Sequence, residues 1–233
     1  MADNVELTAD RSKWGESEPG SLPTRIAKRQ RRQMFNRFLR SFCPTGDDDI
    51  LDIGVTDDRR HDHSNYLEAW YPHKSRLTAA GLENASFLED LYPGMRFVQA
   101  NALNLPFADA SYDYVHSSAV IEHVGSHRNQ STFLRELWRV ARHGIFVTTP
   151  NRWFPIEPHT VLPLVHYLPP DVFRAVLRKL GRDFFADEAN LNLMSRGSLA
   201  DAARSGGIDH FRIETVSLVG WPSNLLLIGR KGT

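Results

Sequence analysis

The chain has 233 residues, of which 41% are hydrophobic, and its 28 basic side chains are balanced by 28 acidic ones. This size suits one large α/β domain, and the balanced charge gives no electrostatic argument for a nucleic-acid or membrane-surface partner. The single cysteine, Cys43, excludes an intrachain disulfide, and the absence of a secretory signal or an apolar run near ~20 residues leads us to expect a cytoplasmic protein.

The N-terminal part of the chain leads into one apolar strand. Residues 1–23 are polar and contain glycine and proline, so we expect a flexible arm, followed by a helix over 24–42. The strand that follows reads I-L-D-I-G at 50–54 and suits burial on both faces of a parallel sheet. Asp52 needs a polar partner there, because burying an unpaired carboxylate is costly, and Gly54 permits a tight turn at the strand end.

Helices and strands then alternate. Further strands are predicted over 76–82, 96–100, 111–117 and 144–149, and helices over 64–71 (capped by Ser64), 84–91 and 128–141. This alternation predicts a parallel sheet with right-handed crossovers. Gly54, Glu83, Asn101 and Ser117 all fall at the carboxyl ends of strands, which is the edge where open α/β sheets bind ligands.

Residues 151–196 interrupt the alternation with five prolines, and we interpret them as an insertion over that edge. The insertion contains a predicted helix that begins at Pro170. A helix capped by Ser198 and two strands over 211–219 and 225–230, joined as a hairpin, complete the prediction. We expect residues 24–233 to form one domain, with 151–196 as a lid or substrate-binding insertion.

Several segments in this order resemble the class I S-adenosylmethionine-dependent methyltransferases. They read I-L-D-I-G at 50–54, N-A-L-N-L-P-F at 101–107, Y-D-Y-V-H-S-S at 112–118, A-V-I-E-H-V at 119–124, L-R-E-L-W-R-V-A at 134–141 and F-V-T-T-P-N at 146–151. The resemblance covers roughly residues 47–150. It implies a Rossmann-like three-layer sandwich with a seven-stranded, mostly parallel sheet whose last strand is antiparallel.

The resemblance also implies a cofactor, S-adenosylmethionine, and the positions that hold it. Asp52 would orient its methionine part, Glu83 would accept both ribose hydroxyls, and Asn101 would lie near adenine. The full implied set is Asp52, Gly54, Thr56, Glu83, Asn101, Ala102, Leu103 and Ser117. Glu83 and Asn101 have a structural alternative as helix-capping or turn residues.

One departure from the family pattern concerns the first turn, which in the family is usually G-x-G-x-G. This chain has Gly54 followed by V-T-D-D, so two glycines are missing. Because Val and Thr disfavour positive φ, we expect the loop to take another path.

Three residues are candidates for catalysis. His123 lies after strand four, where the family's acceptor often binds, and imidazole is a suitable base for a hydroxyl acceptor. His159 and Glu157 could reach the same place from the insertion. For both histidines a packed or surface imidazole is the alternative. We predict no metal site from spacing, because H-D-H at 61–63 is too local.

Two functions remain open from the sequence. The first is methyl transfer from S-adenosylmethionine to a small-molecule acceptor, biosynthetic or sugar-like, with no nucleic-acid or membrane partner. The second is a methyltransferase fold without methyl transfer, which catalyses another displacement or cyclisation or stabilises a partner protein. The altered glycine turn favours the second, and the intact downstream motifs favour the first. A homodimer and a heteromer with a pathway partner are both compatible with the sequence.

Overall fold

The computed structural model describes residues 20–61 and 63–232. Helix α1 spans Leu22–Phe42, and the hydroxyl of Ser21 caps it by accepting a hydrogen bond from the backbone N–H of Thr24. The helix therefore begins two residues before the predicted start. Most of the predicted flexible arm lies outside the described residues.

Seven strands form one sheet in the order β3-β2-β1-β4-β5-β7-β6. All run parallel except β7, which is antiparallel to both β5 and β6. The predicted seven-stranded sheet with an antiparallel last strand is confirmed. The strands are β1 Ile50–Ile53, β2 Leu77–Gly81, β3 Arg96–Gln99, β4 Tyr112–Ser118, β5 Ala141–Pro150, β6 Phe211–Leu218 and β7 Trp221–Arg230.

The remaining helices are α2 Tyr66–Trp70, α3 Phe87–Leu91, α4 His127–Val140, α5 Pro170–Lys179, α6 Asp183–Ala186 and α7 Arg196–Ser205. Two predicted caps are wrong. Ser64 donates its hydroxyl to Asp58 instead of capping α2, and α7 is capped by Ser195, because the hydroxyl of Ser195 accepts from the backbone N–H of Ser198. Ser198 supplies the other half of this capping box, in which its own hydroxyl accepts from the Ser195 N–H.

The alternation of side chains along β1 divides the core into two layers. Leu51 and Ile53 pack with α4 and α7 on one face of the sheet, whereas Ile50 packs with α1, α2 and α3 on the other. Both faces are therefore covered, as expected for a parallel sheet with near-continuous apolar strands.

The hairpin between β6 and β7 is tighter than predicted. Its two loop residues, Val219 and Gly220, have φ of 50° and 79°. Positive φ at both positions matches the right-handed twist of the flanking strands, so β7 starts at Trp221, four residues before the predicted start.

Residues 151–195 have a small apolar core of their own, made by Phe173, Leu177, Phe185, Ala186, Leu191 and Leu193. The two ends of this segment lie together, because the N–H of Arg152 donates to the carbonyl of Met194 at 2.8 Å. The segment therefore leaves and rejoins the sheet at one place, just beyond the end of β5. Among the described residues, no helix combines the length and apolar character needed to cross a bilayer.

Candidate functional site

The turn after β1 forms without the two glycines that the family usually has. Gly54 has φ of 96°, and its N–H donates to the carbonyl of Ala80 at 2.7 Å, while Val55 and Thr56 are absent from the positive-φ residues. Asn65 holds the loop from the other side: its Oδ1 accepts from the N–H of Thr56 at 2.8 Å and its Nδ2 donates to the carbonyl of Thr56 at 2.9 Å. The predicted different path is thus fixed by an asparagine side chain instead of by glycines.

Asp52 lies beneath this turn, inside the layer covered by α1 and α2. Its Oδ1 is 2.7 Å from Nδ1 of His116, and Nε2 of the same imidazole is 2.8 Å from the hydroxyl of Tyr66. The fully buried Glu68 adjoins Asp52. The polar partner that the sequence required for Asp52 is therefore the His116 side chain on the neighbouring strand.

Burial keeps this network in its neutral forms. It raises the pKa of Asp52 to about 8, raises that of Glu68 well above its usual value, and lowers the pKa of His116 to about 4. A net-neutral network inside an apolar layer avoids the cost of an isolated buried charge.

The other predicted cofactor residues divide by burial. Glu83 follows β2 and is half-buried, and Asn101 is exposed after β3, where its Oδ1 accepts from the N–H of Leu103 at 2.9 Å. Ala102 and Leu103 are partly buried against the core. Ser117 is fully buried near the carboxyl end of β4, and its hydroxyl donates to the carbonyl of Ile53, so it ties the end of β4 to the end of β1.

The three predicted catalytic residues meet. Nε2 of His123 lies 3.1 Å from Nε2 of His159, although 36 residues separate them. Nδ1 of His159 is 2.6 Å from Oε1 of Glu157, and Nδ1 of His123 is 2.6 Å from the carbonyl oxygen of Asn190. His123 belongs to the one-turn 3₁₀ helix after β4, and the other three residues belong to the 151–195 segment.

Sequence reasoning missed Glu122, which lies beside the histidine pair. Its side chain is fully buried, its Oε2 accepts from the hydroxyl of Thr149 at 2.9 Å, and its Oε1 lies 3.9 Å from Nε2 of His123. The carbonyl of Glu122 also accepts from the N–H of Asn192 at 2.7 Å, which fastens the 151–195 segment to the end of β4. The signal was present in the pair E-H at 122–123, but the sequence alone could not show that both side chains turn inward.

Opposing effects set the protonation of this cluster. Burial raises the pKa of Glu122 to about 7, against the opposing charge of His159. Burial alone would raise the pKa of Glu157 and lower that of His159, but their mutual hydrogen bond and charge reverse both effects, bringing Glu157 to about 2 and raising His159. Glu157 and His159 therefore form a buried ion pair below the raised pKa of His159.

A cavity of about 500 Å³ opens beside His159 in the 151–195 segment. Its walls are His159, Val161, Gly181, Arg182, Asp183, Phe184 and Phe185. His159 thus borders a space that combines two aromatic residues with one basic and one acidic residue.

Comparison with known proteins finds a family that matches part of the chain. Residues 73–148 match the family model described as a methyltransferase domain. Over this stretch the chain is similar to the methyltransferases. The resemblance stated from the sequence motifs is confirmed, and so is the fold that it implied.

Two of the similar proteins are enzymes with solved structures. One, from Thermotoga maritima, is described as a possible histamine N-methyltransferase; it is 17% identical, covers 91% of this chain and 92% of its own, and has a TM-score of 0.56. The other is the 1,6-didemethyltoxoflavin-N1-methyltransferase of Burkholderia thailandensis, solved with 1,6-didemethyltoxoflavin and S-adenosylhomocysteine bound; it is 15% identical, covers 88% and 80% of the two chains, and has a TM-score of 0.57. At these identities the likeness shows the fold.

A sequence relative is the probable S-adenosylmethionine-dependent methyltransferase of Mycobacterium tuberculosis strain H37Rv, and strain CDC 1551 has a counterpart with the same figures. It is 35% identical over 143 residues, which are 58% of this chain and 50% of the relative. The chain thus spans about half the length of the curated relatives it matches.

Proposed function

We propose that the chain transfers a methyl group from S-adenosylmethionine to a hydroxyl of a small-molecule acceptor, biosynthetic or sugar-like. The observation that carries this proposal is the meeting of His123, His159 and Glu157, from two separate segments, at the carboxyl edge of a methyltransferase sheet. On the same proposal the protein acts in the cytoplasm, as its single cysteine suggests.

The residues at the ends of β1, β2 and β3 fit the cofactor. The half-buried carboxylate of Glu83 offers two acceptor oxygens, which a ribose diol requires. Leu82, beside it, is 42% exposed and offers an apolar surface, and Leu103 lies against the core after β3. When bound, S-adenosylmethionine supplies an electrophilic methyl group on a sulfonium, and the role of the protein is to hold that methyl in line with the acceptor.

The other proposed cofactor residues lie at the two ends of the molecule. Gly54 and Thr56 would line the methionine end, with Asp52 supporting them from below. Asn101 and Ala102 would lie near adenine.

The acceptor would bind on the other side, between the end of β4 and the 151–195 segment. The side chains of His123 and His159 are 19% and 10% exposed, respectively, so the pair is largely screened from water, and His159 lines the cavity. A histidine pair held by Glu157 and the carbonyl of Asn190 is positioned to take the hydroxyl proton of an acceptor. The 151–195 segment would act as the lid that shapes this pocket.

A second function is favoured by one observation at Gly54. A Cβ built there would lie 2.1 Å from Cγ2 of Val120, so the Val120 side chain covers the turn that the family usually leaves to backbone and cofactor. A methyltransferase fold without methyl transfer, which catalyses another displacement or supports a partner protein, would tolerate that cover. Binding of S-adenosylmethionine separates the two functions.

The experiment for the acceptor side compares the full chain with a variant in which a short linker replaces residues 155–190. Transfer of a tritium-labelled methyl group is measured over a panel of hydroxyl-bearing small molecules, including sugars. The apolar core of the 151–195 segment is its own, so its removal is expected to spare cofactor binding and abolish transfer. If the variant keeps both, the segment is not a lid; if the full chain binds the cofactor but methylates only amines or carbon, the acceptor class is wrong.

A further inference from the structure

We propose that Glu122, His123 and His159 form a binding site for a divalent first-row transition metal, with Zn²⁺ as the first expectation. One ligand atom from each of the three residues lies within 4.8 Å of the other two. Nε2 of His123 is 3.1 Å from Nε2 of His159 and 3.9 Å from Oε1 of Glu122. Two histidines and one carboxylate are a ligand set that binds zinc with a fourth position left open. The predicted absence of a metal site rested on spacing, and spacing does not reveal ligands that are 36 residues apart.

The first argument is the orientation of the two imidazole rings. Nδ1 of His159 faces a carboxylate oxygen and Nδ1 of His123 faces a backbone carbonyl oxygen, each at 2.6 Å. Neither partner has a proton to give, so both Nδ1 atoms must be donors. In the neutral rings each Nε2 then carries a lone pair, and these two lone pairs lie 3.1 Å apart. A positive charge is required between them, either a proton or a metal ion.

The second argument is the carboxylate, which distinguishes the metal from the proton. A proton shared by the two Nε2 atoms leaves Oε1 of Glu122 at 3.9 Å, beyond hydrogen-bond distance. That oxygen is buried and has no hydrogen-bond partner among the residues that the structure describes. Zinc binds nitrogen and carboxylate oxygen at about 2.0–2.2 Å, so ligand atoms about 3–4 Å apart can share one ion. A single metal would satisfy all three atoms at once.

The third argument is the set of contacts that hold the ligands. Metal-bound histidines typically donate their other ring N–H to a carboxylate or a backbone carbonyl, which fixes the tautomer, and Glu157 and the Asn190 carbonyl accept in that way here. The hydroxyl of Thr149 similarly donates to the second oxygen of Glu122. His159 also lines the 500 Å³ cavity, so a ligand there lies next to the site.

The role of such a metal rests on the proposed function. With an ion bound, the two histidines would be its ligands, and the ion would take over from them as the group that activates the acceptor. A divalent ion lowers the pKa of an oxygen bound to it, so an acceptor hydroxyl would lose its proton to solvent and attack the methyl group as an oxyanion. The new C–O bond would form as the C–S bond of the sulfonium breaks, leaving a neutral thioether. Metal binding itself does not depend on this role.

The test uses the full chain without a histidine tag, treated with a chelator and then titrated with Zn²⁺ by calorimetry. The wild type should bind one ion per chain. Glu122→Gln keeps the shape of the side chain but removes its charge, and His159→Asn removes one nitrogen ligand, so each should weaken binding at least tenfold. His127→Asn is the matched control, because His127 is exposed on α4 and should leave binding unchanged. Thermal unfolding before titration shows that each variant is folded.

Co²⁺ gives a second measurement of metal binding that does not depend on calorimetry. Its visible absorption should appear with the wild type and be lost with His159→Asn. No binding by the folded wild type, or equal binding by wild type and Glu122→Gln, would overturn the metal site. Titration with S-adenosylmethionine in the presence of chelator is independent. Cofactor binding without metal binding would leave the proposed function standing with the histidine pair as the base, and metal binding without cofactor binding would leave only the metal site.

Discussion

The side chain of Val120 occupies the space directly above Gly54. A Cβ added to Gly54 would lie 2.1 Å from Cγ2 of Val120, and Gly54 itself has φ of 96°. Both the positive φ and the close approach of the loop after β4 therefore require glycine at position 54. Val55 and Thr56 do not have positive φ, so their positions do not need glycine. The turn keeps the first glycine of the family pattern for reasons of packing as well as conformation.

The variant Gly54→Ala should be destabilised by both effects. Gly207→Ala is the matched control, because Gly207 has φ of 82° with nothing within 4 Å of its added Cβ, so it reports the cost of positive φ alone. We expect Gly54→Ala to lose about 1–3 kcal/mol more than the control in urea unfolding, as overpacked cores do. Equal losses would mean that Val120 moves aside freely, and the double variant Gly54→Ala with Val120→Ala should recover most of the difference.

Binding of S-adenosylmethionine should depend on Glu83. Glu83→Ala removes two charge-assisted acceptors for the ribose diol, each worth at most about 1.5–3 kcal/mol, so we expect at least a tenfold loss of affinity in calorimetry. Asp90→Asn on α3 is the control, because Asp90 is an exposed acid of the same region. Affinity that is unchanged in Glu83→Ala would remove Glu83 from the site.

Turnover should depend on His123. His123→Asn keeps a similar size but removes the nitrogen that faces His159, and we expect kcat to fall by about 10²–10⁴-fold, the usual contribution of a general base. Affinity for the cofactor should stay within a few-fold, since the proposed cofactor residues Gly54 and Glu83 follow other strands, β1 and β2. The exposed His127→Asn variant should turn over normally. A normal rate in His123→Asn would make this residue a packing residue and point to an acceptor that needs no activation.

The Asp52 network should make stability depend on pH. The folded-state pKa of Asp52, about 8, is above its ordinary 3.8, so the folded state holds a proton that the unfolded state has released, and this contribution is lost as pH rises from 3.8 through about 8. His116 acts in the opposite sense, because its folded-state pKa of about 4 is below 6.5, so its contribution is lost as pH falls from 6.5 through 4.

Between pH 6.5 and 8, His116 is neutral in both states and stability should fall as pH rises. Asp52→Asn should reduce this slope by up to about 1.4 kcal/mol per pH unit, the value for one proton. Urea unfolding at several pH values in this window measures both slopes. Asp52 also helps to raise the pKa of Glu68, so the variant should reduce the slope through both carboxyl groups. Identical slopes would show that Asp52 is ionised in the folded state.

The sheet was predictable from the sequence, but the contacts that its polar side chains make were not. Ile50, Leu51 and Ile53 specify a doubly buried strand by composition alone, and so the position of Gly54 at its end follows. The partner of Asp52 did not follow, because His116 comes from a strand 64 residues later. Strand order determines such contacts, and a local pattern does not contain it.

Helix ends and the 151–195 segment show the same difference between local pattern and tertiary contact. Both Ser195 and Ser198 are good capping residues, and only the backbone path into α7 selects Ser195. His159 could be proposed as a partner of His123 from chemistry, but Glu122 could not, since its burial depends on Thr149 of β5 and on Asn192 of the 151–195 segment.

The central claim is that this edge of the sheet binds S-adenosylmethionine despite the altered glycine turn. Calorimetric titration of the full chain with S-adenosylmethionine, and separately with S-adenosylhomocysteine, tests it most directly. We predict saturable binding of about one molecule of each per chain, weakened by Glu83→Ala and unaffected by Asp90→Asn. No saturable binding of either compound to the folded protein would contradict the account and favour a methyltransferase fold that has lost methyl transfer.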